Sequence, residues 1–139
     1  HPETAPADST LTLPPSNPFL PEDLSLLKAD DQPINLAVDQ PGLQLWLDTD
    51  VSFTTPRANI AIELLVPGGF SSLEDSSLGQ LFVKLINDGM TQPTYPALLA
   101  GLNANLAATP GGISIRIGGY NDKQPEFSAF ILDQVLTAP

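Results

Sequence analysis

Between Leu73 and Gly101 the apolar positions Leu78, Leu81, Phe82, Leu85, Ile86 and Met90 recur close to the i, i+3, i+4, i+7 rhythm of a helix with one buried face. Ser71 and Ser72 can cap its start, and Glu74 and Asp75 place negative charge against its N-terminus. Asn87-Asp88-Gly89 offers an end, with Gly89 suited to the position just past the helix. Thr94-Tyr95-Pro96 then opens a second, shorter helix with proline early in it, running through Ala100 and stopped by Gly101.

On either side the period changes to alternation. Leu43 to Leu47 reads as a strand that brings Trp46 and Leu47 up to an Asp48-Thr49-Asp50 turn. In Ala58 to Val66, Ile60, Ile62 and Leu64 alternate with Asn59, Ala61 and Glu63, a strand with one apolar face. These two strands are expected to pair as an antiparallel hairpin with a wide loop, and Pro67-Gly68-Gly69 ends the second sharply. Beyond the helices, Leu102 to Ala108 and Ile113 to Gly118 flank Thr109-Pro110-Gly111-Gly112, a strong hairpin signal. Ile113, Ile115 and Ile117 should face a core, and Ser114 and Arg116 water. Gly118-Gly119 and Asn121 release the chain into a last helix, with Phe127, Phe130, Ile131 and Leu132 on its buried face and Val135 and Leu136 beyond. A helix that buries one face needs a sheet to bury it against. The predicted architecture is therefore α+β: an antiparallel or mixed sheet of about four strands with helices on one face.

Residues 1–42 differ in kind. They hold eight of the fifteen prolines and seven of the sixteen acidic residues, so helix and ladder hydrogen bonds are hard to sustain there. They are expected to form a proline-rich interdomain linker ahead of a domain at 43–139. Within it Leu11, Leu13, Phe19 and Leu20 are apolar enough to hold residues 11–21 against the domain, with 1–10 mobile.

Composition narrows the chemistry. The 139 residues fit one domain, and 42% apolar content can fill a modest core. A net charge of −11 repels phosphate backbones and anionic membranes, so neither nucleic acid nor membrane is expected as a partner. No apolar run is long enough to span a bilayer. The start His1-Pro2-Glu3, without methionine or signal peptide, reads as a processed chain or an excised piece. Cysteine is absent and the single histidine is His1, so a zinc site would have to be built from carboxylates, and none is expected here. Glu22-Asp23, Asp30-Asp31 and Glu74-Asp75 are sequence neighbours whose side chains diverge. Asp48-Thr49-Asp50 lacks the spaced ligands, glycine and terminal glutamate of a calcium loop. No serine has a histidine beside it as a base. Gly68-Gly69 is followed by no phosphate-binding lysine, and Lys84 and Arg116 read as surface charges. No catalytic, cofactor-binding or metal-binding residue is assigned.

Five collinear phrases carry a resemblance. Leu13-Pro14-Pro15-Ser16-Asn17-Pro18-Phe19-Leu20-Pro21 is similar to the linker that precedes the third domain of pitrilysin and insulin-degrading-enzyme-type zinc metallopeptidases. Leu45-Trp46 with Phe53 and Pro56-Arg57-Ala58 resembles that domain's first hairpin. Tyr95-Pro96-Ala97 with Ala100-Gly101-Leu102, then Gly112, then Gly119-Tyr120-Asn121-Asp122-Lys123 resemble the segments after its helix. The resemblance implies four homologous α+β domains in two bowl-shaped halves around a closed chamber, with zinc held only in the first by an inverted HxxEH motif. The matching helix here, Leu73–Met90, has no histidine, so no catalytic residue carries across. The implied role is the first part of a non-catalytic third domain that helps enclose the peptide-substrate chamber, with zinc in the catalytic domain of the parent. Implied partners are the parent's other domains and its peptide substrates, and relatives in Gram-negative bacteria imply a periplasmic location. The alternative is a stand-alone protein-binding module that shares the fold. A partial domain should also leave a strand edge, such as Ile113–Ile117 or Ile60–Ile62, or an apolar helix face uncovered, and so self-associate at high concentration or fold its proline-rich entry over the gap.

Overall fold

In the computed structural model, residues 15–26, 33–50 and 52–137 are described. Eight elements succeed one another: β1 (Asn35–Gln40), β2 (Leu43–Leu47), β3 (Arg57–Leu65), α1 (Leu73–Met90), α2 (Tyr95–Leu99), β4 (Asn103–Thr109), β5 (Gly112–Tyr120) and α3 (Gln124–Thr137). The class is α+β, as expected, but the five strands form two sheets.

β1 and β2 make an antiparallel hairpin closed by Pro41-Gly42, with Gly42 at φ +84°. Proline followed by a left-handed glycine is the chemistry of a type II turn. The expected pairing of Leu43–Leu47 with Ala58–Val66 is thus overturned: β2 takes β1 as partner, and β3 takes β5. β1 lies inside the segment read as linker. Its sequence, Asn-Leu-Ala-Val-Asp-Gln, alternates correctly but is short and flanked by Pro33 and Pro41. A tight turn of two residues closes a hairpin at far lower entropy cost than a wide loop.

The larger sheet has the order β3-β5-β4, all antiparallel, with β5 in the middle. The Pro110-Gly111 turn joins β4 to β5 as expected, with Thr109 opposite Gly112. Ile113–Ile117, expected as an exposed edge, is instead paired on both sides. Its central place also buries Ser114, expected to face water. Among the described residues, the edges of this sheet left without a strand partner are those of β3 and β4. The β4 edge is partly capped, because the Asn87 carboxamide of α1 donates to the Leu106 carbonyl at 3.0 Å and accepts from its N–H at 3.4 Å.

α1 starts where expected. Ser72 is the N-cap, its hydroxyl accepting from the Asp75 N–H at 3.0 Å, and Glu74 and Asp75 occupy the first turn. Gly89 does not end it; the helix continues through Met90 to a Thr91 cap. α2 ends in a Schellman motif, the Leu102 N–H reaching the Ala97 carbonyl at 2.9 Å and the Gly101 N–H that of Leu98 at 3.0 Å. Gly101 sits at φ +82°, as that motif demands.

The core lies between one face of the β3-β5-β4 sheet and the helices. Val83 and Met90 of α1, Ala97 of α2 and Phe127, Ile131 and Val135 of α3 meet Leu106, Ile115 and Ile117 there. Leu78, Leu81 and Leu85, expected on the buried face of α1, are exposed instead. At 100° per residue Val83, Ile86 and Met90 form one stripe, and Leu78, Leu81 and Leu85 form another about 140° away. Both have helical spacing, so periodicity alone cannot choose between them. On α3 the buried stripe is Phe127, Ile131 and Val135, while Phe130 and Leu132 are half-buried and Leu136 exposed.

Candidate functional site

The proline-rich segment is clamped to the domain at three points. Asn17 donates its side-chain amide to the Pro96 carbonyl at 2.7 Å. Phe19 meets Phe127 edge to face, with ring centroids 5.5 Å apart and planes at 76°. The Asp122 carboxylate accepts from the Glu22 and Asp23 N–H groups at 2.8 and 3.4 Å, and Lys123 lies 3.5 Å from the Glu22 carboxylate and 3.7 Å from that of Asp122. The phrases around Asn17, Pro96 and Asp122, far apart in sequence, are therefore one structural unit. Within 15–21, Asn17 and Phe19 lie against the domain as expected, while Leu20, expected to help hold the segment, is half exposed; the expectations for 1–14 fall outside the described residues.

Bonding from the Glu22 N–H holds the Asp122 carboxyl below the usual carboxylate value, with Asp23 and Lys123 adding to the effect. A depressed folded pKa contributes stability above the ordinary value and loses it as pH falls through the folded one. The clamp is therefore expected to stay intact below the ordinary carboxylate pKa and to release only as pH falls through the lower value of the folded state. The Glu22 amide resonance, followed by NMR through acidification, should move with a midpoint below that of a free carboxylate. Asp122→Ala should abolish that titration, and an unchanged midpoint in the variant would assign it to another group.

Other acidic groups cap turns and a helix end. Asp50 accepts from the Ser52 N–H at 2.8 Å, and bonding from Ser52, its side chain foremost, lowers the Asp50 pKa. Asp23 accepts from the Ser25 N–H at 2.8 Å, and that backbone bond, with the Ser25 side chain second, lowers the Asp23 pKa; Glu74 and Asp75 serve the α1 terminus. Lys84 and Arg116 are exposed, and His1, Asp30 and Asp31 lie outside the described residues. Among the described residues, no three His, Cys, Asp or Glu side chains gather as a metal site. A cavity of about 230 Å³ between the end of α1, α2 and β4 is lined by Asn87, Met90, Thr94, Leu98, Asn103 and Phe127 among others, with no titratable group.

The surface is the other notable feature. Leu78, Leu81 and Leu85 of α1, Leu98 and Leu99 of α2, and Leu43, Leu45, Trp46 and Leu47 of β2 are all about half exposed or more. Monomeric proteins rarely leave so much large apolar surface open without a partner. Sequence patterning missed these faces, because it assigns every helical apolar position to the core.

The arrangement defines an α+β scaffold domain that carries clamped and apolar surfaces. Its sequence matches the middle or third domain of peptidase M16 across residues 2–138. The chain belongs to that family. It corresponds to the non-catalytic middle domain of pitrilysin-like and insulin-degrading-enzyme-like peptidases. It is 28% identical to human insulin-degrading enzyme over 138 residues, 97% of this chain and 14% of that protein. It is 34% identical to insulin-degrading enzyme-like 1, peroxisomal, of Arabidopsis thaliana over 119 residues, 84% of this chain and 12% of that one. The fold is that of part of crystalline pitrilysin, with a TM-score of 0.82 at 23% identity, covering 93% of this chain and 14% of the other. The chain thus spans only about one-seventh of the length of these relatives. The expected periplasmic location draws no support from them, one being named as peroxisomal.

Proposed function

We propose that this domain is one wall of a large zinc metalloendopeptidase, helping to enclose the chamber that holds peptide substrates while zinc and the catalytic groups sit in another domain. The observation that carries this reading is the match to the family's middle domain along almost the whole chain. The open apolar faces of α1, α2 and β2 support it, since a domain among domains keeps such surface for its neighbours. Zinc then belongs to the parent, and the partners of this chain are the parent's other domains and its peptide substrates.

The test is the full reading frame. It should encode an HxxEH-bearing domain, and its purified product should cleave peptides in a zinc-dependent way while sparing folded proteins too large to enter a chamber. A frame without that motif would instead favour a stand-alone protein-binding module.

The isolated chain, lacking those neighbours, is expected to self-associate through its apolar faces and the free β3 edge. Its charge of −11 opposes association, so the interaction should tighten as salt screens the repulsion. Sedimentation velocity at low and high salt measures this. A strict monomer in both would mean that the exposed leucines are tolerated singly.

A further inference from the structure

The face of the β3-β5-β4 sheet turned away from the helices is open, and it is polar. From β3 it carries Arg57, Asn59, Ala61 and Glu63, all exposed. From β5 it carries Arg116, Gly118 and Tyr120, and from β4 Asn103 and Asn105. The strand register places Asn59 and Asn103 directly opposite Gly118, one on each side. A Cβ at Gly118 would lie 2.9 Å from the Asn59 carboxamide oxygen and 3.5 to 3.6 Å from the Asn103 carboxamide. The two carboxamides therefore form a polar pair that covers the buried Gly118 backbone. Arg116, two residues away on the same face, flanks it on one side. Tyr120 flanks the other, with the Arg57 guanidinium 5.3 Å from its ring centroid.

Charge singles out this face. Among the described residues, both arginines stand on it against a single acid, in a molecule of net charge −11. That acid, Glu63, already accepts from the Ser114 hydroxyl at 2.7 Å. Neither arginine makes an ion pair among the described residues. Guanidinium and carboxamide N–H groups side by side on this face match a carboxylate, which an arginine can hold in bidentate fashion. Each asparagine can turn its NH2 toward such a ligand by rotation about its last torsion. At about 0.1 M salt, screening over roughly 10 Å leaves these near groups, not the distant acids, to govern the encounter.

We propose that this sheet face binds acidic peptide segments, with a Glu or Asp side-chain carboxylate held by Arg116 and by the exposed Asn59 and Asn103 carboxamides that cover Gly118. The carboxylate preference stands on the face itself, whereas the peptide character of the ligand rests on the chamber reading above. The 139-residue chain, labelled with nitrogen-15, is titrated with an acetylated, amidated peptide of alternating alanine and glutamate, and separately with its glutamine counterpart. The glutamate peptide should shift resonances in 57–61, 103–105 and 116–120 saturably, and the glutamine peptide should bind about tenfold more weakly. Arg116→Gln should bring the glutamate peptide down to the affinity of the glutamine one. Gly118→Ala, which meets only movable side chains and a backbone free of positive φ, should displace the two carboxamides and weaken binding without altering the rest of the spectrum. Equal affinity for the two peptides, or shifts confined to α1 and the β1-β2 hairpin, would overturn the proposal. So would shifts that depend on chain concentration instead of peptide, which mark self-association. A full reading frame lacking HxxEH would sink the chamber reading alone and leave the carboxylate result standing.

Discussion

Replacing Gly119 by alanine is expected to leave little folded protein, while the same change one residue earlier is tolerated. Gly119 sits at φ +135°, a conformation closed to L side chains. A Cβ there would stand 2.4 Å from the Gly101 carbonyl oxygen and 2.9 Å from the Leu102 Cα, both backbone atoms of the α2–β4 turn. That turn is itself fixed by the Schellman bonds of Ala97 and Leu98, so it has no freedom to retreat. The Gly119 carbonyl also accepts from the buried Gln124 side chain at 3.1 Å, which ties the start of α3 to the end of β5. Backbone strain of about 1–3 kcal/mol and overpacking of about 1–3 kcal/mol add to a loss of about 2–6 kcal/mol. Single domains hold only about 5–15 kcal/mol in all. Gly118→Ala should stay within about 1 kcal/mol of the parent chain. Urea denaturation followed by circular dichroism compares the two. Equal stability would mean that the α2–β4 turn moves freely against β5.

Phe127→Ala should be the most damaging truncation in the core. The side chain is 1% exposed and contributes to two things at once, the α3–sheet contact and the platform for Phe19. Buried phenylalanine-to-alanine changes cost about 3–5 kcal/mol, because the cavity collapses only in part. A fall in Tm of roughly 10–20 °C is expected for a chain of this size. The variant should also loosen the proline-rich segment, leaving Asn17 and the Asp122 clamp to hold it. A double-mutant cycle with Phe19→Ala isolates the aromatic pair, whose coupling should be about 0.5–1.5 kcal/mol. A coupling near zero would show that Phe19 rests on the domain without stabilising it.

These two sites show what local patterning can and cannot reach. Phe127 is legible as a core residue, since it starts an i, i+4, i+8 stripe in α3. That Phe19 packs on it is not, since the partners are separated by more than a hundred residues. Gly119 is visible only as a glycine at the end of a strand. Its need for a positive φ comes from a turn that the tertiary fold brings against it.

The helices, their capping serine and the β4-β5 hairpin were determined by sequence alone, because each depends on groups a few residues apart. Hydrophobic spacing, Ser72 and Pro110-Gly111 act locally, so their signals survive without any knowledge of the fold. The absence of histidine from the α1 stretch is equally a property of the letters, and the resemblance to the family's middle domain rests on five short phrases. Tertiary structure alone decided the partner of β2, the central place of β5 and which leucine stripe of α1 meets the sheet. Strand pairing is a competition among distant segments that all alternate, and a helix with two apolar stripes can bury either one. The carboxamide pair over Gly118 belongs to the same class, since Asn59, Gly118 and Asn103 become neighbours only once β5 lies between β3 and β4.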